Sequence, residues 1–304
     1  MVAPTQYLIE YIKSVCKNSL NNPSNKDPLN MNVIISGGAF NCGYGYGAIL
    51  YLKELQSQQK INIHKVSGSI LTLTALCDEM IDLDLLYIQL QEHFREYGNL
   101  NKIRDIVKTI VYKCVKDDVH AKTFSDKLYI TTTDMSTCKQ MVISRYTSRK
   151  QLAECIMSSC YIPYLMNQPN VKYIDGIVPY LFKNGTTPSL YINLIQLQKT
   201  KNIIFTTSEV NPHYRVIEGV VETAKLFNEG KSSMCSWIND WNVFDFCMLW
   251  LFQLIFMLTT ITIDTLYHFE LPNIIKNNII FKCISNCMIP FIHDCMFRCF
   301  IVAL

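Results

Sequence analysis

Two groups of residues in this 304-residue chain have the types and spacing for acyl transfer. The first is Gly37-Gly38-Ala39, which closes the apolar run at residues 33–36. A strand that breaks into consecutive glycines can aim several backbone N–H groups at one point, because glycine accepts dihedrals and close approaches that other residues resist. Such a cradle holds a phosphate or a developing oxyanion. The second is Ser69, in a sharp turn after the short apolar run ending at Val66. A serine between a strand and a helix stands exposed above its sheet, where it can act as a nucleophile. Donors first and hydroxyl second is the order of an acyl-transfer site.

The elements that must position these groups follow from periodicity. Strand 33–36, helix 43–57, strand 64–66 and helix 72–80 form one strand–turn–helix–strand–turn–helix unit. Before it, Leu8, Ile12 and Val15 share a helical face, and the Asn- and Pro-rich residues 17–31 read as a linker. After it, Ile103, Ile106, Val107, Ile110 and Cys114 line one face of a helical layer or cap. Residues 128–134 and 140–144 read as adjacent strands, Ser148 with Gln151 as a capping box, and 172–174 and 202–207 as further strands. Strands alternating with helices of this length predict a mostly parallel sheet covered on both faces. Three segments are expected: an N-terminal helix and linker (1–31), a catalytic domain (32–230) and a hydrophobic helical C-terminal region (231–304).

Composition narrows the function classes. A net charge of +3, evenly spread, disfavours a nucleic-acid partner. The hydrophobic fraction of 49% against 17% charged is greasier than a soluble enzyme needs, which points to lipid. The odd count of 13 cysteines, without a repeating framework, fits a reducing intracellular compartment. Frequent Asn, Ile, Lys and Tyr fit an AT-rich genome such as that of a large DNA virus or a protist.

Five blocks then carry a resemblance. VIISGGAFNCGYGYGAILYLKEL, VSGSILTLTAL, LYITTTDMST, SSCYIPYL and YIDGIVPY occur in this order across roughly residues 32–195. In order and spacing they resemble the patatin-like phospholipase family. The resemblance implies a three-layer α/β sandwich and a Ser–Asp dyad that cleaves acyl esters of phospholipids or acylglycerols without histidine or cofactor. By position it implies Ser69 as nucleophile, Asp175 as its base, and Gly37, Gly38 and Ala39 as the oxyanion hole. The family's Gly-x-Ser-x-Gly elbow is here Ser67-Gly68-Ser69-Ile70-Leu71, and bulk at Leu71 is expected to open the turn or re-aim Ser69. The alternative is a catalytically inactive lipid- or membrane-binding protein of the same fold.

Other patterns lead elsewhere or nowhere. Gly43, Gly45 and Ala48 imitate a dinucleotide fingerprint, but they begin beyond the strand end and no acidic residue closes the next strand, so helix–sheet packing is expected of these glycines. Gly38 to Gly43 has phosphate-loop spacing, with Tyr44 in place of lysine. Ser158, Ser159 and Cys160 either line the pocket or pack. The histidines show no metal-ligand pairing, and Cys283, Cys287, Cys295 and Cys299 have the spacing of a packed helical face before that of zinc. No metal site is expected. Residues 246–263, free of charge between Asp245 and Asp264, are a candidate membrane span, with an in-plane or domain-covering helix as the alternative. Membrane association is expected either way.

Overall fold

The computed structural model describes residues 4–18, 27–37, 42–77, 93, 96–97, 101–137, 139–161, 166, 172–176, 178–183, 185–194 and 212–268. Its strands are β1 (Leu29–Ile35), β2 (Ile61–Ser67), β3 (Leu128–Asp134), β4 (Lys139–Ile143), β5 (Tyr173–Asp175), β6 (Ser189–Ile192) and β7 (Cys235–Trp237). They form one sheet in the order β4-β3-β2-β1-β6-β7, with β5 also paired to β3. The centre, β3-β2-β1-β6, is parallel; β4, β5 and β7 pair antiparallel. This is the expected α/β architecture with a mostly parallel sheet. β1 reaches back to Leu29, into the stretch that reads as linker, because Leu29 pairs with Ile61 at the start of β2. The expected strand at 202–207 lies outside the described residues, as do the cysteines after residue 268.

The helices are α1 (Pro4–Asn18), α2 (Cys42–Ser57), α3 (Ile70–Leu76), α4 (Ile103–Cys114), α5 (Asp118–Thr123), α6 (Arg149–Ser158), α7 (Pro212–Glu229) and α8 (Val243–His268). Val33 and Ile35 of β1, with Leu190 and Ile192 of β6, join the main core beneath α2, α3 and α7. Ile34 and Tyr191 point the other way, toward Val178, Ile238 and Leu249. Alternation along a strand explains why β1 is apolar without a break: both of its faces are covered. Ser148 caps α6 by accepting from the Gln151 N–H at 3.1 Å, while the Gln151 side chain accepts from the Thr147 N–H at 2.7 Å. The capping box is therefore present, displaced by one residue on its return bond.

One glycine of α2, Gly47, serves a contact between helices. A Cβ on Gly47 would lie 2.0 Å from the Val216 carbonyl oxygen, and one on Gly219 would lie 2.1 Å from that of Tyr44. α2 and α7 thus cross backbone to backbone, while Gly45 faces Leu71 of α3 and Leu194 just after β6.

The C-terminal end of α7 is tied to the loop before β7 by Glu222. Its carboxylate accepts from Lys225 Nζ at 2.8 Å, the Ser233 N–H and hydroxyl, both at 2.8 Å, and the Ser232 hydroxyl at 3.1 Å. Burial alone would raise its pKa; Lys225 and the serine donors outweigh that and hold it down to about 2, from 4.5. A lowered folded-state pKa means stability that is complete above the unfolded value and lost as pH falls through the folded one. Glu222→Gln is expected to lower urea-unfolding stability by about 2–4 kcal/mol at pH 7. The gap between variant and wild type should shrink as pH falls from 4.5 toward 2; a pH-independent gap would refute the charge account.

α8 occupies the region of the candidate span, but its first turns lie on the sheet. Asn242 and Asp245 cap it reciprocally: Asn242 Oδ1 accepts from the Phe244 N–H at 2.8 Å and Asp245 Oδ2 from the Asn242 N–H at 2.9 Å. Leu249 is buried with Ile34 and Tyr191, and Phe246 lies edge-on to Trp241 at 5.3 Å. Among the described residues, no helix is long and apolar enough to cross a membrane. In place of the span expected at 246–263, the domain-covering alternative holds for these first turns.

Candidate active site

Strand pairing places the two candidate catalytic residues in one lane of the sheet. β4 occupies one edge of β3 from Ile130 to Asp134. On the other edge, β2 pairs at Leu128 and Tyr129, and β5 pairs at Thr132 to Asp134. Ser67 therefore lies opposite Tyr129 and Asp175 opposite Thr132, three residues along, or about 10 Å. Ser69 enters the gap from the end of β2, and Asp175 enters it from the far end as the last residue of β5.

The turn that carries Ser69 is built on Gly68. Its φ is +153°, and a Cβ there would lie 2.7 Å from Thr72 Cγ2 and 3.1 Å from the Ile35 carbonyl. Only glycine fits both restrictions. Its N–H donates to the Tyr129 carbonyl at 3.0 Å, which fixes the turn to β3. Ser69 is the residue before α3, and its carbonyl accepts from the Thr72 N–H at 3.1 Å and the Thr72 hydroxyl at 2.6 Å. Its own hydroxyl makes no capping bond to α3. A serine in this position ordinarily turns its oxygen onto the helix N–H groups. Here the oxygen is left for something else.

Leu71 does not force the turn open. Its side chain is buried, and its Cδ1 lies 2.8 Å from where a Cβ on Gly45 would stand. The bulk missing from α2 at Gly45 is the room that Leu71 occupies. Ser67 is fully buried, and its Oγ has no hydrogen-bond partner, so it fits as a small residue.

Asp175 is held by its backbone and by the glycine that follows. Its N–H donates to the Tyr161 carbonyl at 3.2 Å. A Cβ on Gly176 would lie 2.5 Å from the Thr131 carbonyl carbon, so the Asp-Gly pair lets the chain cross directly over β3. The Gln140 side chain then donates to the Gly176 and Val178 carbonyls, at 3.0 and 2.5 Å. Ser69 and Asp175 are both half-buried.

Beside Ser69 stands a residue that the sequence offered only as pocket lining or packing. Cys160, just beyond α6, places its Sγ 3.5 Å from Ser69 Oγ. The Ile70 N–H also faces the sulfur, and the charge of Asp175 acts on it. Burial first, and Asp175 after it, push the thiol up to about 11 against the opposing pull of Ser69 and Ile70. At neutral pH it therefore carries its proton and is no nucleophile. Nothing in the local sequence marks Cys160 for this place, because the contact joins residues 91 positions apart.

Of the oxyanion candidates, Gly37 is described and half-buried, directly after Ser36; Gly38 and Ala39 lie outside the described residues. Ser36 locks this end of β1 to β6: its N–H donates to the Ile192 carbonyl at 3.0 Å, and its hydroxyl accepts from the Leu194 N–H at 2.7 Å. Asp134, at the end of β3, is a turn residue. Its Oδ1 accepts from the Ser136 hydroxyl and N–H and from the Thr137 N–H, and these bonds, the Ser136 hydroxyl foremost, hold its pKa low. No group of His, Cys, Asp and Glu suited to a metal ion occurs among the described residues.

No protein-family model matches the chain. A stretch of 159 residues, 47% of this chain, is 24% identical to the omega-hydroxyceramide transacylase of Homo sapiens. The match covers 30% of that relative, so the chain spans less than a third of its length. The similarity is thus to an enzyme that acts on a lipid.

Proposed function

We propose that the protein is a lipid acyl hydrolase of the phospholipase A or neutral-lipid lipase type, acting through Ser69 and Asp175. The observation that carries this reading is the Ser69 hydroxyl, held off its helix and turned to the thiol on which Asp175 also acts. An unactivated serine is a poor nucleophile and needs a base within reach. Ser69 Oγ attacks the ester carbonyl, its proton passes to Asp175, and N–H groups of Gly37, Gly38 and Ala39 meet the charge on the carbonyl oxygen. Each such donor contributes about 3–4 kcal/mol to the transition state. Water then releases the acyl group; the likeness to a transacylase favours a lipid hydroxyl as a second acceptor.

The substrate arrives at a membrane surface. Phe244, Trp250, Leu254 and Ile255 of α8 are each more than half exposed, large apolar side chains that a lipid surface would cover. Lys183 lies over the Phe246 ring at 4.2 Å, a cation at the edge of that face suited to lipid phosphates.

One experiment tests both parts. The purified protein is treated with a fluorophosphonate probe, with Ser69→Ala as control, and its turnover is compared on a soluble short-chain ester and on phospholipid vesicles. Labelling confined to Ser69, with faster turnover on vesicles, is expected. No labelling of the folded protein leaves the inactive lipid-binding alternative, and equal turnover on both substrates removes the membrane surface from the account.

A further inference from the structure

A cleft of about 750 Å³ lies between the end of α7, β7 and the first turns of α8. Its volume is that of an ordinary ligand site, about 300–1,000 Å³. The apolar walls are Tyr191 of β6, Trp237 of β7, Trp241, and Met248, Leu249 and Phe252 of α8. Polar groups around it are engaged within the protein. Ser232 Oγ accepts from the Met234 and Cys235 N–H groups, both at 3.0 Å, and donates to Glu222 at 3.1 Å, while the Ser233 hydroxyl donates to Glu222 at 2.8 Å. The Asn193 N–H donates to the Met234 carbonyl at 2.8 Å, and the Trp241 indole N–H to Ser236 Oγ at 2.9 Å. The charged residues Lys231 and Asp240 of the lining are exposed, so they stand at the mouth. What the interior offers a ligand is therefore apolar surface, braced where Trp241 meets Tyr191 edge-on at 4.7 Å and Trp237 meets Phe227 at 5.8 Å.

α8 joins this cleft to a second apolar face. Asp245, Met248, Leu249 and Phe252 recur at helical spacing on the cleft side. Phe244, Leu251, Leu254 and Leu258 recur on another side, and each is exposed. Met248 lines the cleft and is 49% exposed, so it stands at the border of the two. We propose that the cleft holds one long acyl chain, carried by a free fatty acid or by a lipid whose polar groups stay at the surface. The inference goes beyond the hydrolase reading and does not depend on Ser69. A hydrocarbon chain asks for no hydrogen bond, so it suits walls whose polar groups are engaged elsewhere, and each methylene it buries adds to affinity. The carboxylate or headgroup remains at the mouth, where Lys231 stands. The cleft also lies at the end of the sheet that carries the catalytic candidates. Asn193 in its lining falls between Ile192, whose carbonyl accepts from the Ser36 N–H at 3.0 Å, and Leu194, whose N–H donates to Ser36 Oγ at 2.7 Å; Gly37 follows Ser36.

The three tryptophans report on the two faces separately, since Trp237 and Trp241 line the cleft and Trp250 is exposed on α8. Bromine quenches indole fluorescence at contact range. The whole chain carrying Trp250→Phe is titrated with dibromostearic acid, brominated at mid-chain, with a brominated short-chain acid, and with phosphatidylcholine vesicles whose chains are dibrominated. Saturable quenching by the long-chain acid or by the vesicles, and none by the short acid, is expected; the first assigns a free acid, the vesicles alone a chain drawn from a bilayer. Met248→Glu in the same background sets a carboxylate at the apolar border of the cleft and should weaken that binding by more than about tenfold. Leu254→Glu, on the exposed side, should leave binding of the long-chain acid as it was, and melting temperatures verify that both variants are folded. No quenching, quenching confined to the wild type with its Trp250, equal quenching by the short acid, or quenching that Met248→Glu leaves unchanged each overturns the proposal. None of these results bears on the nucleophile, because a free acid is not an ester; fluorophosphonate labelling decides Ser69 separately.

Discussion

Asp175→Asn is expected to lower turnover of a soluble ester by about 1,000- to 10,000-fold and to leave KM nearly unchanged. Removal of a general base commonly forfeits a factor of about 100 to 10,000, and the upper part of that range applies where no second base stands by. Each factor of ten is about 1.4 kcal/mol, so the expected loss is about 4–5.5 kcal/mol of transition-state stabilisation. Asparagine preserves the size of the side chain, the N–H that Tyr161 accepts and the pairing with Thr132, so the lane between β2 and β5 survives. An interaction made only in the transition state shows in kcat and not in KM. Steady-state kinetics on matched preparations decide the matter: a variant within tenfold of wild type excludes Asp175 as base, and a raised KM at constant kcat makes it a binding residue.

Gly47→Val is expected to destabilise the fold by about 3–5 kcal/mol. Overfilling a packed interior typically costs about 1–3 kcal/mol, when neighbouring side chains can shift. Here the obstacle is main chain: a Cβ at this site meets the Val216 carbonyl oxygen at 2.0 Å, its carbon at 2.9 Å and the Val220 nitrogen at 3.0 Å. α2 and α7 touch again where Gly219 faces the Tyr44 carbonyl, so neither helix can pivot away from one contact without disturbing the other. Separation of the two would uncover Tyr51, Leu52, Val216 and Val220, all within the main core. With total stability of roughly 5–15 kcal/mol for an ordinary domain, such a loss brings the variant close to unfolding. Gly185→Ala is the companion control, since its added methyl meets only the Thr187 nitrogen at 3.9 Å. Urea midpoints for both variants check the account; a midpoint for Gly47→Val as near to wild type as that of Gly185→Ala would refute it.

The elements that could be read from the sequence were those with local signals. β1 and the glycines after it, the Ser69 turn, the strands at 128–134 and 140–144, and the cap at Ser148 each rest on neighbours within a few residues. β6 and β7 carry four and three residues, too few to show a period, and they are strands only because β1 and then β6 offer an edge. Leu71 looked like an intrusion because the space it fills belongs to Gly45, on another helix. Cys160 was hidden for the same reason: its contact is with Ser69, brought to it by the turn after β2. The charge-free run in α8 reads as a candidate span, but composition is silent about the sheet face on which its first turns lie.

The lane shared by β2 and β5 also bears on the order in which the protein becomes competent. Ser69 is in place once β2 lies beside β1 and the Gly68 turn is tied to β3, and all of these segments precede Asp175 in the chain. Asp175 reaches its position only when three residues near 174 dock on a strand some forty residues earlier, beside a partner already formed. During synthesis the proposed nucleophile therefore emerges well before its proposed base. A half-made chain carries the serine in a shaped turn without Asp175, so under the proposed mechanism ester cleavage waits for β5 to close beside β3.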